Sequence, residues 1–381
     1  MAQSAIPQPN FDVDLSDGTF SLSQARTIVG EFFAPKAWIY WTDFLLSWTV
    51  GIACFAIFEM ADKVVVHQFQ LSPVWCWPVW IATFLVSSFL FYRCALFIHE
   101  LMHLRSNRFR AFRFVWNILC GIPFLVPSFV YYTHIDHHRR KFYGTTLDGE
   151  YISLASKPAW QILLYLSQCV VIPLVTVLRF GLLTPLTWVS PRVRTWVHRH
   201  ASSMIMDPTY IRPLPTQRVL LIMRIQEIFC LLWIVFVAIR FFSPMGILPG
   251  TLTLGTLLHA YAMGIFILFI NAMRTLGAHR WIGNGEEMTF VQQLLDSVNY
   301  PDRPLTGGLW APVGLRYHAL HHIFPTMPYH ALATAHRRLM RDLPVDSPYR
   351  KTEASSLNSV LQLLWNRARA TGLNNQAASA T

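Results

Sequence analysis

The sequence predicts an all-α integral membrane protein: about four transmembrane helices, a cytoplasmic helical cap, and further helices lying in the plane of the membrane interface. Three observations point there. Hydrophobic residues make up 53% of the 381-residue chain and charged residues only 13%, with a mean hydropathy of +0.36, a balance that suits a lipid-embedded chain better than two soluble domains. Four stretches, near 38–60, 76–98, 219–242 and 250–274, are apolar over the roughly 20 residues a helix needs to cross a hydrocarbon core about 30 Å thick. Fourteen tryptophans suit side chains held at the lipid headgroups. The net charge of +11 would suggest nucleic acid in a soluble protein; here it reflects the positive-inside bias and an anionic leaflet, and no nucleic-acid partner is expected.

Taken in order, residues 1–37 form an N-terminal cytoplasmic segment. It carries Asp12, Asp14 and Asp17 and no basic n-region, so it is not read as a cleaved signal peptide. Within it, "SLSQARTIVGEFF" (21–33) has a serine start signal and an apolar stripe, which predicts an amphipathic surface helix. Residues 38–340 form the membrane domain. The loop 61–74 holds one basic residue, Lys63, and 243–249 holds none, whereas 99–158 holds Arg105, Arg108, Arg110, Arg113, Arg139, Arg140, Lys141 and Lys157. The positive-inside rule then places both termini and the whole of 99–218 in the cytoplasm. Segments 112–132 and 159–188 are apolar too, but Pro123 and Pro127 interrupt the first, and Pro173 and Pro185 fall in the second. Both are read as helices in the interface or dipping into it. Residues 341–381 form a cytoplasmic tail with a short amphipathic piece, "SVLQLLWNRARA", followed by an irregular end, "NNQAASAT". Six scattered cysteines with no CxxC pair read as reduced small hydrophobes.

Fifteen histidines are present, and their spacing is not random. "HELMH" gives His99 and His103 at i, i+4. "HIDHH" gives His134, His137 and His138, and "HALHH" gives His318, His321 and His322, both at i, i+3, i+4. Each spacing puts its imidazoles on one helical face, and the topology puts all three boxes on one side of the membrane. Eight imidazoles exceed what one zinc takes. They suit two metals held close together, with iron, zinc and copper all accepting imidazole. The cap is therefore expected to hold a histidine-rich dimetal site.

On these motifs the sequence resembles the integral-membrane fatty acid desaturases and hydroxylases, whose sites are non-haem di-iron. The resemblance covers roughly residues 40–340 and is strongest in "HELMH", "HIDHHRRKFYG" and "YHALHHIFPTMPYH". The third box is followed by Phe324-Pro325 and Pro328, as is typical of the family. His279, in "RTLGAHRW", matches the family's ninth histidine. The resemblance implies two iron ions, O2 as co-substrate and metal ligands His99, His103, His134, His137, His138, His279, His318, His321 and His322. It also implies desaturation of a fatty-acyl chain, with a hydroxylase, carotenoid oxygenase or terminal-alkene-forming decarboxylase of the same superfamily as alternatives. Electrons would come from an external ferredoxin, rubredoxin or cytochrome, which a basic cytoplasmic surface suits. Two departures, Thr275 where some acyl-coenzyme A desaturases have asparagine and the short H-x-x-x-H first box, count against that subgroup and leave the wider superfamily intact.

Two other classes compete. H-E-x-x-H with a later "LDG" (147–149) is also the pattern of intramembrane zinc metalloproteases, but it leaves six box histidines unexplained. A metal transporter would place acidic residues in its spans, and these hold chiefly Glu59 and Glu227. Glu100, Asp136 and Asp148 are candidates to hydrogen-bond ligand imidazoles and fix their tautomers. Arg93 and Arg274 read first as arginines snorkelling from span ends, and second as holders of a substrate headgroup. His67, His198, His200, His259, His330 and His336 are not favoured as ligands.

Overall fold

The computed structural model describes residues 20–104, 107–242 and 252–379, with side chains to residue 371. The acidic N-terminal residues and residues 243–251 lie outside the described residues. Helices α1 (Leu22–Ile28), α2 (Ala37–Asp62), α3 (Cys76–His103), α4 (Arg110–Trp116) and α5 (His134–His137) lead to α6 (Trp160–Leu178), α7 (Thr184–Val189), α8 (Pro191–His200), α9 (Gln217–Phe242) and α10 (Leu254–Ala278). Then come α11 (Phe290–Asp296), α12 (Pro304–Trp310), α13 (His318–Ile323), α14 (Tyr329–Asp342) and α15 (Leu357–Ser379). Among the described residues there is no strand, only isolated bridges.

Helix starts follow their capping residues. Ser21 opens α1 by accepting from Gln24 N (3.2 Å), Thr253 opens α10 by accepting from Thr256 N (3.0 Å), and Thr289 with Gln292 forms a capping box at α11. The long helices turn leucines outward, Leu46, Leu174, Leu232 and Leu258 among them, as a lipid-facing surface requires. Helices α2 and α3 pack closely because Gly51 lets the Phe91 ring approach; a Cβ there would sit 2.9 Å from a ring carbon. Below them, Tyr40, Phe44, Phe97 and Phe112 interlock edge to face. Helix α10 meets α6, where Tyr261 donates to Val170 O (2.7 Å) and Pro173 rests on Gly264.

The protein is a multi-pass membrane protein, with one difference in the count. Among the described residues, five helices are long and apolar enough to cross a bilayer by length and composition: Ala37–Gln68, Pro73–His103, Trp160–Val189, Gln217–Phe242 and Leu254–Ala278. The fifth is the 159–188 segment. Its prolines do not interrupt it: Pro173 is accommodated inside α6, a π-helical turn at Arg179–Leu183 carries the helix on, and Pro185 falls in the first turn of α7, where no N–H is missed. Segment 112–132, by contrast, doubles back. Asn117 bonds Ser128 in both directions (Nδ2 to Oγ 3.1 Å; Ser128 N to Oδ1 2.9 Å), and Pro127 starts a separate 3-10 turn. Helix α15 also differs from expectation, running through "NNQAAS" to Ser379; alanine and glutamine let a helix already packed through Leu364 and Ala368 continue.

The two span arginines separate. Arg93 pairs with Asp43 through both carboxylate oxygens, and Tyr329 Oη donates to the same carboxylate (2.6 Å). Neither arginine simply snorkels; Arg274 is buried. Glu100 is buried as well. It accepts from Tyr40 Oη (2.7 Å) and Tyr329 N (3.3 Å), tying α2 and α14 to α3. Changing Asp43 to Asn should leave Arg93 without its counter-charge and cost on the order of 1–3 kcal/mol. Thermal unfolding in detergent should show a lower midpoint than Arg93→Met/Asp43→Leu, which removes both charges.

Candidate metal centre

The nine histidines arrive from four places. His99 and His103 end α3, one turn apart on its inner face. Helix α5 is a single turn, and it supplies His134 and His137 with His138 at its C-cap. Helix α13 supplies His318, His321 and His322. His279 belongs to no helix: α10 stops at Ala278 and the chain becomes extended, pinned by bonds from Val298 N to Ala278 O (3.0 Å) and from Arg280 N to Asp296 O (2.7 Å).

All nine converge into two groups. His99, His103, His134, His138 and His321 form one, and His137, His279, His318 and His322 the other; within each, one nitrogen per residue lies within 4.8 Å of the rest. The groups abut, with the His138 and His322 rings 4.4 Å apart. Nε2 atoms face one another at 3.0 Å for His134–His138, His279–His318 and His318–His322, and at 3.1 Å for His138–His321. Buried nitrogens of His99, His103, His138, His318 and His321 have no hydrogen-bond partner among the described residues. A neutral imidazole has one N–H and one lone pair. Nε2 atoms facing one another at about 3 Å with no carboxylate between them, beside the unpartnered Nε2 atoms of His99 and His103, are what a cation inside each group would satisfy, so the residues fit a pair of metals.

Carboxylates bracket the rings from outside. Asp148 Oδ2 lies 2.8 Å from His137 Nδ1 and accepts from Gly144 N and, at its other oxygen, Glu150 N; Glu150 Oε2 lies 2.9 Å from His134 Nδ1. Asp296 Oδ2 lies 3.2 Å from His279 Nδ1 and accepts from Tyr143 Oη (2.6 Å). Such partners fix the ring tautomer and aim the other nitrogen inward. Of the three acids singled out from sequence, only Asp148 takes this place. Glu100 faces away toward Tyr40, and Asp136 pairs with Arg139 (2.9 Å) near the surface, because Glu100 leaves the long α3 and Asp136 the single turn of α5 on the side opposite the histidines. Glu150 and Asp296 escape sequence reasoning. Glu150 adjoins "LDG", but Asp296 is 17 residues past His279 with no motif around it.

The zinc-protease pattern dissolves in this geometry. His99 and His103 share their group with three histidines from two other boxes, and the "LDG" aspartate is a partner of His137 outside both groups.

Burial first, then the neighbouring imidazoles, holds the pKa of His138, His318, His321 and His322 well below the ordinary value; burial also lowers His279. Burial opposes charge on His137 too, but Asp148 outweighs it and the pKa rises. Asp148 and Asp296 are lowered in turn, burial being outweighed by His137 and His279 respectively. A group with a lowered folded pKa contributes stability above its unfolded value, and loses it as pH falls. Five histidines and two aspartates act in that direction; His137 and Asp136, whose carboxyl burial pushes up, act against it. The metal-free protein should therefore lose stability as pH drops below about 6.5, the unfolded imidazole value, which detergent melts from pH 8 to pH 5 would read. Asp148→Asn, Glu150→Gln and Asp296→Asn should each weaken metal affinity about 10- to 100-fold, while Glu100→Gln and Asp136→Asn leave it unchanged; competition with a chelator measures all five.

Comparison with known proteins agrees with this arrangement. A ceramide hydroxylase of Caulobacter vibrioides (strain NA1000 / CB15N) is 34% identical over 348 residues, covering 91% of this chain and 93% of that protein. No solved structure matches this chain. The family model described as fatty acid desaturase matches residues 74–353, a span that holds all nine histidines. The chain belongs to the fatty acid desaturase family and is an oxidoreductase of that membrane-enzyme family.

Proposed function

We propose that this protein is a di-iron, O2-dependent hydroxylase of a ceramide-type lipid. The observation that carries the reading is the near full-length similarity to a ceramide hydroxylase, on a chain whose nine histidines form two adjacent groups. This revises the expectation of desaturation. Desaturation and hydroxylation begin with the same C–H bond and differ in where the second oxidising equivalent goes, which histidine spacing does not encode.

His99, His103, His134, His138 and His321 would hold one iron, and His137, His279, His318 and His322 the other. When bound, the irons supply the O2-reducing chemistry. The balance is one lipid C–H, one O2, two protons and two electrons giving one C–OH and one water. The chain's own part is to aim the imidazoles through Asp148, Glu150 and Asp296, and to keep the site dry with Tyr131, Tyr143, Tyr151 and Trp281, whose rings lie against His134, His137 and His279. It must also take electrons from outside. The exposed Arg139, Arg140 and Lys141 follow His138 directly and suit an acidic ferredoxin, rubredoxin or cytochrome on the cytoplasmic face.

The test is product analysis. Membranes containing the protein, given ceramide, O2 and a reducing system, should yield ceramide that has gained one oxygen, and His318→Ala membranes should not. Ceramide that has instead lost a hydrogen pair would return the enzyme to desaturation. Oxidation of free fatty acids alone would remove ceramide as the substrate.

A further inference from the structure

Arg274 lies near the C-terminal end of α10, four residues before its last residue, Ala278, and five before His279. It is 7% exposed. Its hydrogen bonds go to neutral oxygens: Asn271 Oδ1 accepts from Nε (3.3 Å) and Nη2 (3.2 Å), and Thr275 Oγ1 from Nη2 (2.9 Å). Among the described residues no carboxylate pairs with it, whereas Arg93 has Asp43 and Arg179 has Glu227. An ionised side chain at membrane depth is costly unless paired, and one kept there marks a site. Five residues further on, the chain delivers His279 to the metal centre, and the same helix meets α3 at Met263 and Ser87. Arg274 therefore stands where the metal centre meets the interior of the bundle.

A second observation lies on α3, which α10 touches at Ser87 and Met263. Ser88, one turn before Tyr92 on α3, is fully buried and its hydroxyl has no partner. From Ser88 through Tyr92 to His99 is about 17 Å of one helical face, with α10 packed across it where Ser87 meets Met263. An apolar partition needs neither a lone hydroxyl nor a guanidinium. A path taken by a lipid with a polar head uses both.

We infer that Arg274, oriented by Asn271 and Thr275, grips the oxygens of a neutral amide-and-hydroxyl lipid head, with Ser88 further along the chain's path. Hydroxylation then falls on a carbon close to the head. This rests on the ceramide reading above and adds where the lipid is held. The guanidinium already accommodates neutral amide and hydroxyl oxygens from Asn271 and Thr275, the same groups a ceramide head offers. Arg274 is thus a positioning residue.

The experiment compares wild type with Arg274→Gln, Arg274→Lys and Ser88→Ala in nanodiscs. It measures radiolabelled ceramide and palmitate binding to the metal-free protein, and the position of the new hydroxyl in the iron-loaded enzyme by tandem mass spectrometry. Iron content and melting profile report folding. Arg274→Gln should weaken ceramide binding about tenfold or more, raise KM more than it lowers kcat, and spread the hydroxyl over several carbons. Arg274→Lys, which keeps the charge and fits where Gln does not fold, should recover part of the affinity. Unchanged affinity and hydroxyl position in a folded, iron-loaded variant would overturn the inference, as would a loss confined to palmitate. If wild type binds ceramide through Arg274 yet leaves it unoxidised, the hydroxylase reading fails and the head grip stands.

Discussion

Nine imidazoles and three carboxylates sit together where water cannot hydrate them, and the architecture follows from keeping them compatible. Buried polar groups must find partners, and imidazoles this close cannot all carry protons. Most are held neutral, their outer nitrogens taken by Asp148, Glu150 and Asp296 where those acids reach, and their inner nitrogens face two common points. A metal at each point converts a crowd of orphaned acceptors into a coordination shell. Without one, the same crowd is a store of unfavourable desolvation.

The bundle is arranged around that requirement. Helix α3 delivers His99 and His103 from its last turns, while Glu100 on its other face locks α2 and α14 into place. The reversal at Asn117–Ser128 returns the chain so that Tyr131 stacks on His134. The abrupt end of α10 frees His279 from helical geometry and lets Asp296 close on it. Within the long helices, Arg93 pairs with Asp43 and the buried Arg179 with Glu227, which sets Arg274 apart there; Arg212 and Arg280, buried outside those helices, donate to backbone carbonyls.

Much of this was legible in the sequence because period and spacing carry it. Apolar runs of sufficient length gave the long helices, and i, i+3, i+4 spacing gave histidine faces that need only be brought together. His279 came from resemblance, since a single histidine after a span has no pattern of its own. What stayed hidden depends on three-dimensional direction. Glu100 and Asp148 look alike in sequence, yet the turn of the helix sends one to Tyr40 and the loop sends the other to His137. Asp296 is distant in the chain from everything it orients. Pro173 and Pro185 looked like breaks, but a π-helical turn between them absorbs the misfit. The choice between hydroxyl and double bond is set by small displacements of substrate, and only the similarity to a ceramide hydroxylase bears on it.

The central claim is that the two histidine groups are two metal sites of one centre. Metal analysis of the detergent-purified protein tests it most directly, run beside the His318→Ala/His321→Ala/His322→Ala variant. Since these residues belong to both groups, the account predicts about two irons per wild-type chain and loss of most iron in the variant. A single zinc that survives the triple change and is lost with His99→Ala would contradict it.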